Sequence, residues 1–147
     1  MDIKISEEIV RTFFEKMDCL VSAEVSLKDG VLNIGLKSEE ARILIGQNGQ
    51  TLADLQHLLA KIIKKALKEE IFLNLDIEDY KKRKIDYLKD IARTAADEVA
   101  SSKREKLMPP LSAFDRRIVH MELANRTDIK TESVGENPER RIVVRPV

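Results

Sequence analysis

The stretch that decides the fold is Ile45-Gly46-Gln47-Asn48-Gly49-Gln50-Thr51-Leu52, in which two glycines three apart lie between apolar residues. Glycine accepts backbone angles that a side chain forbids, and it lets another molecule's backbone come close. A helix that ends near Gly46 and another that begins near Gly49 would present free N–H groups beside the turn. Those groups and the positive end of the helix dipole suit a phosphate. Such a glycine pair is more often an ordinary turn, so the flanking sequence decides between the two interpretations.

The residues before this loop predict a helix, a two-stranded hairpin and a second, short helix. Ser6 is predicted to cap the first helix, whose apolar stripe runs to Met17 at helical spacing. Alternating apolar residues then flank Asp29-Gly30, which is a strong signal for a tight turn between antiparallel strands. The short helix ends at Gly46, so the glycine loop follows it directly.

The residues after the loop predict a longer helix and a last strand. From Gln50 to about Lys68 a broad apolar face recurs at helical spacing. From Ile71 to Ile77 the alternation is that of a strand. The predicted order is therefore helix, strand, strand, helix, glycine loop, helix, strand.

This order resembles that of a type II KH domain, whose glycine loop joins the same two helices, and the likeness covers residues 1–79. The resemblance implies that single-stranded nucleic acid binds beside the four loop residues, Gly46, Gln47, Asn48 and Gly49. The two central residues are often basic in members that bind nucleic acid, but here they are uncharged amides. We therefore expect this module to bind weakly by itself.

Three apolar residues near the loop have two alternative roles. The resemblance makes Ile45, Leu52 and Leu55 candidate residues of the binding groove. Packing in the core explains them at least as well, because they also fit the apolar faces of their helices.

Residues 80–106 predict one long connecting helix, because they contain no Gly or Pro and carry a narrow apolar stripe. That stripe must be buried against a module or another chain. The helix starts with a basic cluster, Lys81-Lys82-Arg83-Lys84. Solvated surface is the favoured explanation of this cluster, and a path for a bound strand is the alternative.

Residues 107–147 predict a second small module, a helix followed by a β-hairpin, so the fold class is α+β with two small domains. Ser112 is predicted to cap the helix, which runs to about Asn125. Strands are predicted around 129–134 and 141–145, with a turn at 135–138. On the helix, one face carries Phe114, Ile118 and Met121, and another carries Arg116 and His120.

The segment Arg116-Arg117-Ile118-Val119-His120 resembles the signature of the R-three-H domain. That resemblance implies binding of single-stranded nucleic acid, with Arg116 and His120 exposed on one surface. Arg116 would contact phosphate, and His120 would donate a hydrogen bond or stack on a base. The alternative is that Arg116 pairs with Asp115 or another surface acid and that His120 is a boundary residue. Arg117 is grouped with this pair as a predicted RNA-binding residue, and the supporting basic residues are Arg140, Arg141 and Arg145.

The succession of a KH module, a long helix and an R-three-H module resembles the Jag family of bacterial proteins. Membership implies a cytoplasmic RNA-binding protein that acts as an RNA chaperone or post-transcriptional regulator linked to cell elongation and division. A small protein with only a KH domain is a known kind of partner in that family. Many members carry a further N-terminal domain, and we expect a protein without it.

Composition agrees with an intracellular protein whose two halves differ in charge. Cys19 is the only cysteine, which excludes an internal disulfide framework and fits a reducing compartment. The formal net charge is zero, yet residues 1–79 hold 10 Lys and Arg against 15 Asp and Glu, while residues 80–147 hold 16 against 11. The second half is thus the better candidate for attracting phosphate.

Three hypotheses follow. The favoured one is a non-catalytic protein that binds single-stranded RNA, with single-stranded DNA as a further ligand. The second is a protein–protein adaptor whose KH fold forms a homodimer or a heterodimer with a small KH protein. An enzyme has little support, because the sequence contains only two histidines and no cysteine pair. Nothing has metal-ligand spacing, so we expect no metal and no cofactor.

Overall fold

The computed structural model describes residues 2–147. The chain forms two compact units, of which the first ends at Lys81 and the second runs from Lys82 to Val147. Both combine helices with a small sheet, so the α+β prediction is confirmed. No helix in the described part of the chain is both long and apolar enough to cross a membrane.

The first unit has the predicted order of elements. These are α1 (Ile3–Lys16), β1 (Ser22–Lys28), β2 (Val31–Lys37), α2 (Ala41–Ile45), a 3-10 turn (Gln47–Gly49), α3 (Gln50–Leu67) and β3 (Phe72–Ile77). The sheet has the strand order β1-β2-β3. The pair β1–β2 is antiparallel, as the hairpin predicts, and β2 pairs in parallel with β3. The parallel pairing places α2, the glycine loop and α3 in the crossover between two neighbouring strands.

The first helix begins earlier than predicted. Asp2 caps it, because its carboxylate accepts hydrogen bonds from the amides of Lys4 at 3.0 Å and Ile5 at 3.4 Å. Ser6 is fully buried inside the helix, and its hydroxyl donates to the carbonyl oxygen of Asp2 at 3.3 Å. The prediction of a Ser6 cap is wrong because Asp2, an equally good capping residue, stands one turn upstream.

The core of the first unit lies between the helices and one face of the sheet. The central strand β2 contributes Leu32, Ile34 and Leu36, each at most 1% exposed. Leu75 of β3 and Phe14 of α1 pack into the same cluster and are fully buried. These aliphatic and aromatic side chains fix the positions of α2 and α3, and therefore of the loop between them.

The second unit also follows the predicted plan of a helix packed on a hairpin. Its elements are α4 (Tyr80–Ser102), whose first two residues belong to the first unit, β4 (Lys106–Leu107), α5 (Ala113–Leu123), β5 (Ile129–Val134) and β6 (Arg141–Pro146). The sheet order is β4-β6-β5, with both pairs antiparallel. Strand β4 is the two-residue edge of this sheet, and its Lys106 lies in the range predicted as helix, because α4 ends at Ser102.

The apolar stripe of α4 is buried within the second unit. Ala92, Ala96 and Val99 are fully buried and cluster with Val119 of α5 and Ile142 of β6. The stripe needs no other chain to cover it. Most of the segment predicted as a connector is therefore a structural part of the second unit.

Candidate nucleic-acid interface

The glycine loop is a tight turn with two glycines in the left-handed region. Gly46 has φ 72° and ψ −173°, a combination open essentially to glycine alone. Gly49 has φ 77°, and Asn48 between them is also left-handed, with φ 54°. The side chains of Gln47 and Asn48 are exposed. The turn therefore presents two amide side chains to solvent.

Contacts inside the chain also require both glycines. A Cβ at Gly46 would lie 2.1 Å from Thr51 Oγ1 and 2.7 Å from Thr51 Cβ. A Cβ at Gly49 would lie 2.9 Å from Cε1 of Tyr80. The glycines are thus explained by packing and backbone angle alone, and their presence is not by itself a sign of a ligand.

The start of α3 is open towards the loop. Gly49 is its N-cap and, as a glycine, contributes no side-chain capping hydrogen bond. The first turn of an uncapped helix carries amide N–H groups without helical acceptors and the positive end of the dipole. This is the end of α3 that the sequence predicts as a phosphate site.

The three candidate groove residues lie in the core instead. Ile45, Leu52 and Leu55 are 9%, 2% and 7% exposed and pack in the main cluster of the first unit. Their proposed groove role is wrong, and the alternative role in packing is confirmed. The exposed residues next to the loop are Arg42 and Ile43, and Ile43 is 71% exposed. Sequence reasoning missed both, because a helix of five residues is too short for its pattern to show which side faces solvent.

The basic cluster at the start of α4 is only partly solvated. Lys81 donates from Nζ to Asn74 Oδ1 at 2.6 Å and to Gln56 Oε1 at 2.8 Å, and burial lowers its pKa. Lys84 pairs with Asp115 at 3.2 Å. Two of the four cations thus support the fold of their own units, which leaves a smaller basic surface than the sequence suggested.

Arg116 is buried, which contradicts its expected place on the surface. It is 8% exposed, and its Nη1 donates a hydrogen bond to the carbonyl oxygen of Leu111. The neighbouring Asp115 is 6% exposed and forms an ion pair with Lys84. Its carboxylate therefore pairs with Lys84 and not with Arg116, as the alternative had it. The reason is the rotation of α5, whose buried face holds Asp115, Arg116, Val119 and Leu123.

His120 is half-buried and held by two hydroxyl groups of β5. Its Nδ1 lies 2.8 Å from Thr131 Oγ1, and its Nε2 lies 3.0 Å from Ser133 Oγ. Burial, and then the positive charge of Arg116, lower the pKa of His120 below its ordinary 6.5. The neutral ring donates from one nitrogen and accepts at the other, so both are already engaged. This agrees with the boundary role given as the alternative.

The other arginines of the second unit differ in whether a carboxylate neutralises their charge. Arg141 pairs with Glu139 at 3.3 Å, and Arg145 pairs with Glu105 at 3.1 Å and also with Glu132. Arg140 donates from Nη1 to the carbonyl oxygen of Gly135 at 2.7 Å, a contact that does not neutralise it. Arg117 is exposed and has no ion pair in the described chain. Arg117 and Arg140 are therefore the better candidates for phosphate contact.

The comparisons with known proteins agree with this architecture. The KH domain family model matches residues 4–84, and the R-three-H domain family model matches residues 86–146. The chain therefore belongs to the KH domain family, and its R-three-H domain completes the two-domain pattern predicted from the Jag resemblance.

The chain is similar to several bacterial proteins described as RNA-binding protein KhpB. It is 33% identical over 139 residues to the one from Clostridium symbiosum, which covers 93% of this chain and 63% of that protein. It is 30% identical over 111 residues to the one from Bacillus subtilis (strain 168), which covers 74% of this chain and 53% of the relative. The chain thus spans less than two thirds of the length of these relatives.

Within the described residues, no three His, Cys, Asp or Glu side chains lie together as metal ligands. The two histidines lie in different units, His57 on α3 and His120 on α5. His120 is surrounded by hydroxyls and an arginine. The candidate residues in each unit are therefore amides, hydroxyls or guanidinium groups, which are among the groups that contact nucleic-acid phosphates.

Proposed function

We propose that this protein binds single-stranded nucleic acid, RNA in the first place, without catalysing a reaction. The observation that carries the proposal is the exposed Gln47-Asn48 turn directly before the uncapped first turn of α3. The two domain matches and the description of the relatives as RNA-binding proteins support the same ligand class. Single-stranded DNA shares the phosphate and base chemistry and is a further ligand.

In the first unit, backbone amides and side-chain amides hold the phosphate. The first turn of α3 supplies N–H groups and the dipole, and Gln47 and Asn48 supply further donors. Arg42, exposed one turn before Gly46, supplies the positive charge that the loop lacks. A single cation gives weak binding, because phosphate neutralisation provides most of the affinity for a nucleic acid.

In the second unit, Arg116 and His120 of the R-three-H signature hold neighbouring segments of the chain in place. Arg116 holds the entry to α5 through the Leu111 carbonyl, and His120 joins α5 to β5. Arg117 and Arg140 are the contacts to phosphate. Two weak sites on one chain gain affinity through effective concentration when a single strand reaches both.

The wider role follows from the family resemblance. We propose that the protein acts in the cytoplasm as an RNA chaperone or post-transcriptional regulator, with a link to cell elongation and division. A small KH protein is the proposed heterotypic partner. These proposals depend on RNA binding and are secondary to it.

The direct test of binding is photo-crosslinking of the intact chain to a single-stranded RNA of about 20 nucleotides, followed by mapping of the attached peptides. The expected peptides contain residues 42–49 and the segment around Arg117. An equally long duplex RNA serves as the control and should crosslink less. Crosslinks confined to α1, or none above the duplex level, would reject the proposal.

A second candidate function, self-association through the first unit, is favoured by the open edge of β1. At the other edge of the sheet, side chains cap β3, because the amide of Leu75 donates to Gln56 Oε1 at 3.0 Å and that of Ile77 to Asp76 Oδ1 at 2.9 Å. No side chain among residues 2–147 bonds the backbone of β1 in this way. An uncapped edge strand is a template for pairing with another strand.

The groove beside β1 fits a second copy of the chain. It has a volume of about 630 Å³ and is lined on one side by apolar residues, among them Leu20, which is 90% exposed. On the other side, the charged residues of α1 are Lys4, Glu7, Glu8, Arg11 and Glu15. If two α1 helices lie antiparallel, Lys4 faces Glu15 of the second copy, and Glu8 faces its Arg11. This pattern is self-complementary and supports a homodimer in which the two β1 strands pair.

A further inference from the structure

The side of α5 that faces solvent carries an aromatic residue, an arginine and a methionine. Phe114 is 65% exposed, Met121 is 69% exposed, and Arg117 between them is also exposed. Their spacing of three and four residues places them on one side of the helix. We call these three residues the α5 outer face. It is the side that the sequence pattern would assign to the core, yet the core lies on the opposite side.

Packing within the chain does not explain these residues. A single exposed apolar side chain is ordinary, but Phe114 and Met121 flank a cation on the same helix face. The folding of the second unit uses Val119 and Leu123 of α5 instead, which are 0% and 3% exposed. The outer face therefore contributes little to the core, and its side chains are accessible to a ligand.

The charges on α5 favour an anionic ligand. Both acidic residues of the helix are paired with cations of α4, Asp115 with Lys84 at 3.2 Å and Glu122 with Arg93 at 2.7 Å. Arg117 has no such partner in the described chain, so its charge remains on the outer face. Proteins that bind single-stranded nucleic acids combine cations, which attract phosphates, with exposed aromatic rings, on which bases stack.

We propose that the α5 outer face is a stacking platform for single-stranded nucleic acid. A base stacks on the ring of Phe114, the guanidinium of Arg117 contacts the adjoining phosphate, and the thioether of Met121 packs against a neighbouring base. From Phe114 to Met121 the helix rises about 10 Å, which matches roughly two or three nucleotides of a stacked strand. This inference rests on the proposed function and deepens it, since it assigns base contact to residues outside the Arg-to-His signature.

The test measures the affinity of the intact chain for two fluorescent probes of equal length, a single-stranded RNA and an abasic backbone. Phe114→Leu removes the ring but keeps an apolar side chain, and it is expected to weaken RNA binding about fivefold or more while leaving the abasic probe unaffected. Phe114→Tyr should bind RNA as the unmodified chain does. Arg117→Ala should weaken both probes by a similar factor. The matched control is Tyr87→Leu, at another exposed aromatic residue of the second unit, 60% exposed on α4.

The outcomes separate this inference from the proposed function. If the unmodified chain binds no RNA, the proposed function fails. If it binds and Phe114→Leu has no more effect than Tyr87→Leu, the function stands and the stacking platform is rejected. Equal losses for RNA and the abasic probe would also reject stacking. If Phe114→Leu changes only the oligomeric state measured by light scattering, the outer face is a protein contact and the inference is overturned.

Discussion

The guanidinium of Arg116 donates a hydrogen bond to the carbonyl oxygen of Leu111 and lies inside the second unit, while the next residue, Arg117, is exposed. Two adjacent arginines therefore have separate roles. The first joins the loop before α5 to the helix. The second carries an unbalanced charge to the surface.

Exchanging each arginine should separate stability from binding. Arg116→Ala removes a charged hydrogen-bond donor from the carbonyl of the partly buried Leu111 and should lower the free energy of unfolding by about 2 kcal/mol. Arg117→Ala should leave the melting temperature within a degree or two and weaken RNA binding. Thermal unfolding and fluorescence anisotropy on the intact chain measure both effects. The opposite pattern, in which Arg116→Ala melts normally but loses RNA, would restore Arg116 as a direct contact.

Acidic residues in the glycine loop should repel the phosphate. The double change Gln47→Asp with Asn48→Asp affects two exposed side chains and places two carboxylates beside the first turn of α3. We expect RNA affinity to fall by about tenfold, because helix N-termini and nearby amides then hold a carboxylate instead of phosphate.

The control for that experiment changes net charge equally at a different place. Ser101→Asp with Ser102→Asp adds the same charge at two exposed positions at the end of α4. The logarithm of its affinity for RNA should change by less than half as much as that of the variant with Gln47→Asp and Asn48→Asp. Equal losses for the two double variants would show that only total charge matters and that the loop is not a contact.

The glycine loop should be fragile for reasons of packing. Gly49 and Gly30 have the same φ of 77°, but a Cβ at Gly49 would lie 2.9 Å from Tyr80, and one at Gly30 would meet nothing within 4 Å. Gly30→Ala therefore introduces only the left-handed backbone strain, about 1 kcal/mol. Gly49→Ala introduces that strain and also displaces Tyr80. A lower melting temperature for Gly49→Ala than for Gly30→Ala is expected, and equal values would contradict the close approach.

The state of His120 predicts how the second unit responds to acid. Burial and Arg116 lower its pKa in the folded state, so the unfolded chain takes up the proton first as the pH falls. The neutral ring of His120 therefore stabilises the folded state fully above a pH of about 6.5, which is the pKa of histidine in the unfolded chain. This stabilisation is lost as the pH falls below that pKa. Hydrogen exchange of the β6 amides should accelerate as the pH falls from about 7.5 to about 5.5, after correction for the intrinsic exchange rate.

A histidine substitution identifies the group responsible. His120→Gln should flatten this pH dependence, because the titrating ring is gone. His57→Gln, at an exposed position of α3, is the matched control and should leave the dependence of β6 unchanged. If the slope survives in His120→Gln, another group titrates and the account of His120 is wrong.

Self-association can be tested by exchanging charges on α1. Glu8→Lys and Arg11→Glu each place like charges opposite one another in an antiparallel homodimer and should give monomers by light scattering. Mixing these two variants restores both attractive pairs, so a mixed dimer is expected. Dimers of either variant alone, or no dimer of the unmodified chain, would reject this arrangement of α1.

The sequence predicted the elements well because periodicity reports burial over long segments. Helix α3, with 18 residues, shows its apolar face over five turns, and the Asp29-Gly30 turn sets the hairpin. The position of Ser112 as the N-cap of α5 is confirmed, since its hydroxyl accepts from the amide of Asp115 at 3.2 Å.

The candidate site was less predictable because it depends on the rotation of a short helix. Helix α5 has 11 residues, and either of two faces could have been buried. The face with Phe114 and Met121 is the more apolar, but burial of the Asp115–Lys84 pair and the Arg116 hydrogen bond turns the other face inward. Lys84 lies on another helix, so no local pattern around Arg116 contains this information.

The most direct test of RNA binding by the two units is the salt dependence of affinity. Three cations, Arg42, Arg117 and Arg140, are proposed to neutralise phosphates, which predicts a slope of about −2 in a plot of log K against log salt for single-stranded RNA. The triple alanine variant should have a slope near zero and weaker binding at low salt. An affinity of the unmodified chain that stays flat between low and moderate salt would contradict the account.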